Sequence, residues 1–196
     1  MDSDEVVVRR RVDGALELRV NGVFVMDDVE TTSERRLAQV VLERGARDVL
    51  VGGLGLGFTV RALLEDANVR MVLVAELHPD VIAACTVDDS RLEVVIGDIR
   101  DLVAEQPPTF DAVLLDVDNG PDHLVHVANA AVYGDAFVAE CARVLRPGGT
   151  LAVWSMADSP TLRSTLAAHF DDVEAESVPV RLQGRDEAYW ILSARR

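Results

Sequence analysis

The sequence predicts an α/β fold, a mostly parallel sheet with helices on both faces, preceded by a short N-terminal antiparallel β meander. Three observations carry that expectation. From residue 47 onward, short apolar runs alternate with helix-length segments, the rhythm of parallel strands joined by crossover helices. The first of those runs ends in a glycine-rich turn, Gly52-Gly53-Leu54-Gly55-Leu56-Gly57. Ahead of it, the dipeptides Asp13-Gly14 and Asn21-Gly22 tolerate the positive φ that tight hairpins require.

Taken in order, residues 6 to 27 form the meander, in which Leu16, Leu18 and Val20 alternate with Glu17 and Arg19 as in a half-buried strand. Thr31-Thr32-Ser33-Glu34 has the spacing of a capping box, and Leu37, Val40 and Val41 mark one helical face that ends at Gly45. Strands follow at 47–51, 70–75, 92–96 and 110–115, with helices at 57–66, 79–86 and 99–104. Pro79 suits a first helical position, where its missing N–H costs nothing. A loop begins at Asp116, a helix covers about 135–145, and the turn Pro147-Gly148-Gly149 leads into a strand at 150–154. Ser159-Pro160 starts a helix that runs to about Phe170, and two strands, 172–180 and 187–194, flank Gly184. No repeat, linker or low-complexity stretch divides the chain. Residues 1–196 are therefore read as one domain, with 1–30 a meander appended to a nucleoside-binding α/β unit over 31–196.

Composition narrows the partners. A net charge of −15 disfavours nucleic acid and anionic membranes, which need a basic face, and suits a cationic or neutral small molecule. No apolar run approaches the roughly 20 residues that span a bilayer, and the N-terminal stretch places Asp2 and Asp4 where a signal peptide would be basic. A cytoplasmic location is expected. Cys85 and Cys141 lie in helix-like segments among small neighbours and are read as reduced structural thiols.

The chemistry concentrates at strand ends. Glycines at 52, 53, 55 and 57 let a ligand approach the backbone beyond the first strand, where α/β sheets bind nucleotides. Phe58 stands where a dinucleotide fingerprint carries its last glycine, which counts against a nicotinamide cofactor. Glu76 ends the second strand, where a carboxylate can accept from ribose hydroxyls, with Leu77 beside it. Asp98 and Ile99 follow the third strand, offering an acceptor and an apolar edge to adenine. Asp98 also has the alternative of a helix cap. The fourth strand delivers Asp116, Asp118 and Asn119 to the same edge. Asp116 is the catalytic candidate, orienting an acceptor and relaying its proton, because an ordinary Asp near pKa about 3.9 is a weak base for an amine near about 10.4. Tyr133 and Trp154 could wall an acceptor pocket or pack in the core. The four histidines lack metal-ligand spacing, so no metal is expected.

Together these residues resemble the class I methyltransferase superfamily, a Rossmann-like fold, and more closely its spermidine synthase (polyamine aminopropyltransferase) branch, over about residues 16 to 155. Leu18-x-Val20-Asn21-Gly22 is similar to that branch's hairpin, Val49 to Gly57 to its glycine loop, Glu76-Leu77-His78-Pro79-Asp80-Val81 to its ribose segment, and Leu145-Arg146-Pro147-Gly148-Gly149 to its Leu-Lys-Pro-Gly-Gly turn. Asp116 matches the family's catalytic acid, and Val132-Tyr133 its later Leu-Tyr. The resemblance implies a seven-stranded sheet with only the last strand antiparallel.

The chain also departs from the branch. Gly55 replaces an Asp that holds the amino group of the sulfonium ligand, Val25 stands for a Gln, and Thr32-Ser33-Glu34 keeps only the acid of Tyr-His-Glu. Asn119 occupies the place of a second Asp that clamps the amine. These departures favour a methyltransferase using S-adenosylmethionine on a small amine. Cofactor-binding roles are then expected for Gly52, Gly53, Gly55, Gly57, Glu76, Leu77, Asp98 and Ile99, and substrate-binding roles for Asp118, Asn119 and Tyr133. The alternatives are aminopropyl transfer from decarboxylated S-adenosylmethionine and a non-catalytic nucleoside-binding scaffold. A homodimer is compatible with each reading.

Overall fold

A computed structural model describes residues 5–124, 126–182 and 184–196. Asp2 and Asp4 lie outside the described residues. The chain builds two sheets. Strands β1 (Val6–Arg10), β2 (Leu16–Val20) and β3 (Val23–Asp27) form a three-stranded antiparallel sheet. The β2–β3 turn has Asn21 at φ 51° and Gly22 at φ 76°, both in the left-handed region that a tight hairpin demands. At the β1–β2 connection only Gly14 is left-handed, and Arg11 and Ala15 close a wider loop through a 2.7 Å backbone bond.

The alternation in β2 is overridden at one position. Glu17 was expected to face water, yet it is buried because Arg9, Arg11 and Arg19 fold over its carboxylate, with Arg9 at 3.1 Å and Arg11 at 3.6 Å. The arginine stems roof a face that a period-two pattern would leave open.

After helix α1 (Thr32–Leu42) the main sheet begins with β4 (Asp48–Gly52), followed by α2 (Phe58–Leu64), β5 (Met71–Glu76), α3 (Pro79–Ala84), β6 (Leu92–Ile96), α4 (Ile99–Glu105) and β7 (Phe110–Leu115). A 3-10 segment (Val127–Tyr133) and α5 (Asp135–Val144) lead to β8 (Leu145–Ser155), α6 (Pro160–Ala167) and the hairpin β9 (Asp171–Leu182) with β10 (Arg185–Arg195). The spatial order is β6-β5-β4-β7-β8-β10-β9, and β10 pairs antiparallel with both β8 and β9. The last strand is thus the one that runs against the others, as the resemblance implied. Pro147-Gly148-Gly149 is a bulge inside β8 rather than a turn before it, with the register against β7 shifting between Phe110 and Ala112.

Two apolar layers hold the sheet. Val49 and Val51 face Leu37, Val41, Val60 and Leu63 of α1 and α2, while Leu50 faces the opposite layer with Ile99, Val103, Phe137 and Cys141 of α4 and α5. Burial on both faces is why the central strands read as unbroken apolar runs. The connections diverge on either side of β4, so a crevice opens at its C-terminal end, between β5 and β7. The small sheet contributes Leu18 to the α1–α2 layer and so lies beside that crevice.

Candidate active site

A cleft occupies the crevice, floored by the C-terminal ends of β4 to β7 and walled by Leu18, Val20, Val25 and Met26 of the small sheet. The glycine loop forms its floor. Gly53, Gly55 and Gly57 all take positive φ, at 86°, 52° and 82°. At Gly53 the glycine is also a spatial requirement, since a Cβ would sit 2.2 Å from the carbonyl oxygen of Asp116. The loop is knitted to its neighbours by backbone bonds from Gly53 N to Ala75 O and from Asp116 N to Gly52 O, each 2.9 Å.

Glu76 braces this floor. Buried at the end of β5, it accepts the Leu54 N–H at Oε2 and the His78 N–H at Oε1, both at 2.9 Å. One carboxylate therefore fixes the glycine loop and the next turn together, and each oxygen keeps a lone pair for a further donor. Leu77 beside it is half-exposed on the cleft wall. Asp98 caps α4, accepting the Arg100 N–H at 2.8 Å, and the Arg100 guanidinium also grips it, at 3.0 Å from Oδ1. That pairing holds its carboxyl below the usual range. Asp98 thus takes the alternative role of helix cap while still lining the cleft, and Ile99 packs buried behind it.

The opposite half of the cleft holds a second group of acids. Asp116 accepts the Thr59 hydroxyl at 2.7 Å, and burial, opposed by that bond, pushes its carboxyl up to about 6. Glu34 lines the same space. Its capping-box role is not realised, because the Thr31 side chain makes no cap bond and Glu30 instead accepts the Thr32 N–H at 2.9 Å. The Glu34 carboxylate turns inward, where it accepts the Ser33 hydroxyl at 2.8 Å, and burial followed by the nearby Asp116 charge pushes it up to about 7. Trp154, with Tyr189 tilted against it at 4.7 Å between ring centres, closes this end. Burial, then Glu34, pushes the Tyr189 hydroxyl up to about 12.

Of the residues expected from sequence, Gly53, Gly55, Glu76, Leu77, Asp98, Ile99, Asp116, Asp118 and Asn119 come together around one cleft. Gly52, Gly57 and Tyr133 support it from behind. Gly57 caps α2 against Cys85, and Gly52 packs on Ile99. Tyr133, placed by expectation in a substrate pocket, is buried in the opposite layer and donates its hydroxyl to the Val117 carbonyl, holding the loop that carries Asp118. Asp118 serves its own loop, accepting from Asn119 N at 2.7 Å, His126 N at 3.0 Å and Asn129 Nδ2 at 2.9 Å. Met26 and Asn129 also line the cleft without having been singled out from the sequence, and Glu34, matched there only as the acid kept from Tyr-His-Glu, lines it too. Among the described residues no group of three or more His, Cys, Asp or Glu is arranged to hold a metal, and no helix is long and apolar enough to cross a membrane.

Comparison with known proteins places this geometry. The family model described as a methyltransferase domain matches residues 50–153. A polyamine aminopropyltransferase of Mycobacterium tuberculosis is 33% identical over 162 residues, covering 76% of this chain and 30% of its own length. Polyamine aminopropyltransferase 2 of Pseudomonas aeruginosa is 31% identical over 150 residues, covering 66% and 41%. The chain thus spans well under half the length of these curated relatives. A spermidine synthase solved with the transition state analogue AdoDATO superposes with a TM-score of 0.84 at 18% identity, over 100% of this chain and 71% of that one.

The relatives overturn the expectation of methyl transfer, since they are named for aminopropyl transfer. One of the departures that favoured the methyl reading, Gly55, has a local explanation. A Cβ at Gly55 would lie 2.6 Å from the Met26 sulfur, which also accepts the Leu56 N–H at 3.2 Å, so the thioether from β3 fills the place of a side chain at 55. With more than half its length under the family model and its whole fold shared, the chain belongs to the methyltransferase-domain family, in the spermidine synthase-like form of the class I fold.

Proposed function

We propose that this chain transfers an aminopropyl group from decarboxylated S-adenosylmethionine to a small amine. The observation that carries the reading is the charge of the cleft: Glu34, Glu76, Asp98, Asp116 and Asp118 line it, and among the described residues no arginine does. Decarboxylated S-adenosylmethionine bears a sulfonium and an ammonium and no carboxylate, so every charge it presents is complementary to such a wall. The intact methionine moiety would bring a carboxylate among five acids, at a cost in a partly desolvated cleft. The names of the relatives support the same choice. Isothermal calorimetry with the two nucleosides tests it. The decarboxylated form is expected to bind at least about tenfold tighter, a difference of about 1.4 kcal/mol, and equal or tighter binding of S-adenosylmethionine would overturn the reading.

In this reading the glycine loop lets the ligand reach the backbone, Glu76 accepts from the ribose hydroxyls, and Asp98 with Ile99 meets the adenine. Asp116 orients the acceptor amine at the mouth of the acidic end. Glu76→Gln is expected to weaken the product nucleoside by about tenfold, because an amide has one acceptor oxygen where the carboxylate has two and would present an N–H to one of the backbone donors it now satisfies. Calorimetry with 5′-methylthioadenosine reads this directly. Unchanged affinity would remove Glu76 from the ligand.

A further inference from the structure

Two carboxylates share the acidic end of the cleft, Glu34 buried and Asp116 partly buried, and among the described residues neither has a cation paired with it. Asp116, after β7, is bonded to the Thr59 hydroxyl of α2, and Glu34, on α1, to the Ser33 hydroxyl. The arginines of α1 point elsewhere: Arg35 pairs with Glu65 at 3.3 Å, and Arg36 with Glu43 and Glu176, each at 2.7 Å. The other groups facing Glu34 are acidic or neutral, namely Glu30 ahead of α1 and Tyr189 on β10. Thr59 ties the two acids together, since its oxygen lies 2.7 Å from Asp116 Oδ2 and 3.4 Å from the Glu34 carbonyl. Buried like charges are stable only if a proton or a cation comes between them.

We infer that Glu34 is a second catalytic residue, the one that holds the acceptor ammonium against Asp116 and takes its proton before attack. This rests on the aminopropyl-transfer reading for the identity of the donor. The acceptor enters as a primary ammonium, whose charge the Glu34–Asp116 pair lacks. One N–H proton passes to a Glu34 oxygen, leaving a neutral amine with a free electron pair. That pair forms the new N–C bond at the carbon attached to sulfur, the C–S bond breaks, and its electrons neutralise the sulfonium to a thioether. The product nitrogen leaves as a secondary ammonium, and Glu34 releases its proton to water. Glu34 lines the cleft with the Ser33 hydroxyl as its hydrogen-bond donor, while Asp116 is held by Thr59, and burial raises Glu34 so that it stands closer to an amine near about 10.4 than an unperturbed carboxylate does.

The test separates this role from the identity of the donor. With 5′-methylthioadenosine present, wild-type protein titrated with 1,4-diaminobutane is expected to bind it, and Glu34→Gln to bind it at least about tenfold more weakly while keeping its nucleoside affinity. No donor takes part in that measurement, so it stands even if the transferred group proves to be methyl. With whichever donor turns over, Glu34→Gln is expected to lower kcat about 100-fold and to lose the acid limb of the pH–rate profile between about pH 6 and 8, and Glu34→Asp to restore part of both. Retained nucleoside binding certifies that the variants are folded. Diamine affinity and pH profile unchanged within about twofold in Glu34→Gln would overturn the inference.

Discussion

Asp116→Asn is expected to turn over about 100 to 1,000 times more slowly than the wild type while binding 5′-methylthioadenosine within about threefold. The asymmetry follows from where the side chain sits. Its backbone N–H, bonded to Gly52 O at 2.9 Å, is untouched by the change, so the glycine loop keeps its anchor. Asparagine can still accept the Thr59 hydroxyl through its amide oxygen. What disappears is the charge that orients an ammonium toward the sulfonium. Stopped assays of transfer at saturating donor, paired with calorimetry, check both halves. A second effect tests the coupling of the two acids. Removing the Asp116 charge takes away one of the causes that raise Glu34, so the acid limb of any residual activity is expected at lower pH. A variant with wild-type kcat would leave Asp116 outside the reaction.

How much of this was legible beforehand depends on how local the determining physics is. The parallel strands were readable because Val49, Leu50 and Val51 are buried on both faces and leave an apolar run with no polar partner to hide it. Gly53 was readable because only glycine tolerates both its φ and the Asp116 carbonyl against its Cα. Glu34 was not, because Thr-x-x-Glu spacing fits a capping box as well as an inward-turned acid. In the fold the Ser33 hydroxyl donates to the Glu34 carboxylate and Glu30 takes over the Thr32 N–H, and neither partner is announced by the spacing. Tyr133 and Asp118 show a related effect. The strand-end position was legible, but the loop between them satisfies its own backbone first, through the Val117 carbonyl and the His126 and Asn119 N–H groups. The substitution at Gly55 was weighed as a lost ligand contact, whereas the sulfur that repacks it comes from a strand about thirty residues earlier.

Glu34 also carries a consequence for stability, with a sign that distinguishes it from an ordinary surface acid. Its carboxyl goes from the ordinary 4.5 to about 7 in the folded protein, so between those values the native state holds more proton than the unfolded chain. Stability from this group therefore falls as pH rises through that window and is flat below and above it, the reverse of a salt-bridged carboxylate. A shift of that size corresponds to at most about 3 kcal/mol at pH 8, reduced by whatever water the cleft admits. Glu34→Gln is expected to match the wild type near pH 4 and to exceed it at pH 8 by as much as about 6 to 12 °C in Tm, on the scale of about 2 to 4 °C per kcal/mol for a chain of this length. Thermal unfolding at the two pH values reads the difference. If the charge penalty is what an ammonium relieves, saturating 1,4-diaminobutane should raise the wild-type Tm at pH 8 and leave Glu34→Gln nearly unmoved. A variant that catalyses poorly yet unfolds later joins the two effects at one atom group: the uncompensated carboxylate that costs stability in the free protein is the one that draws the acceptor in.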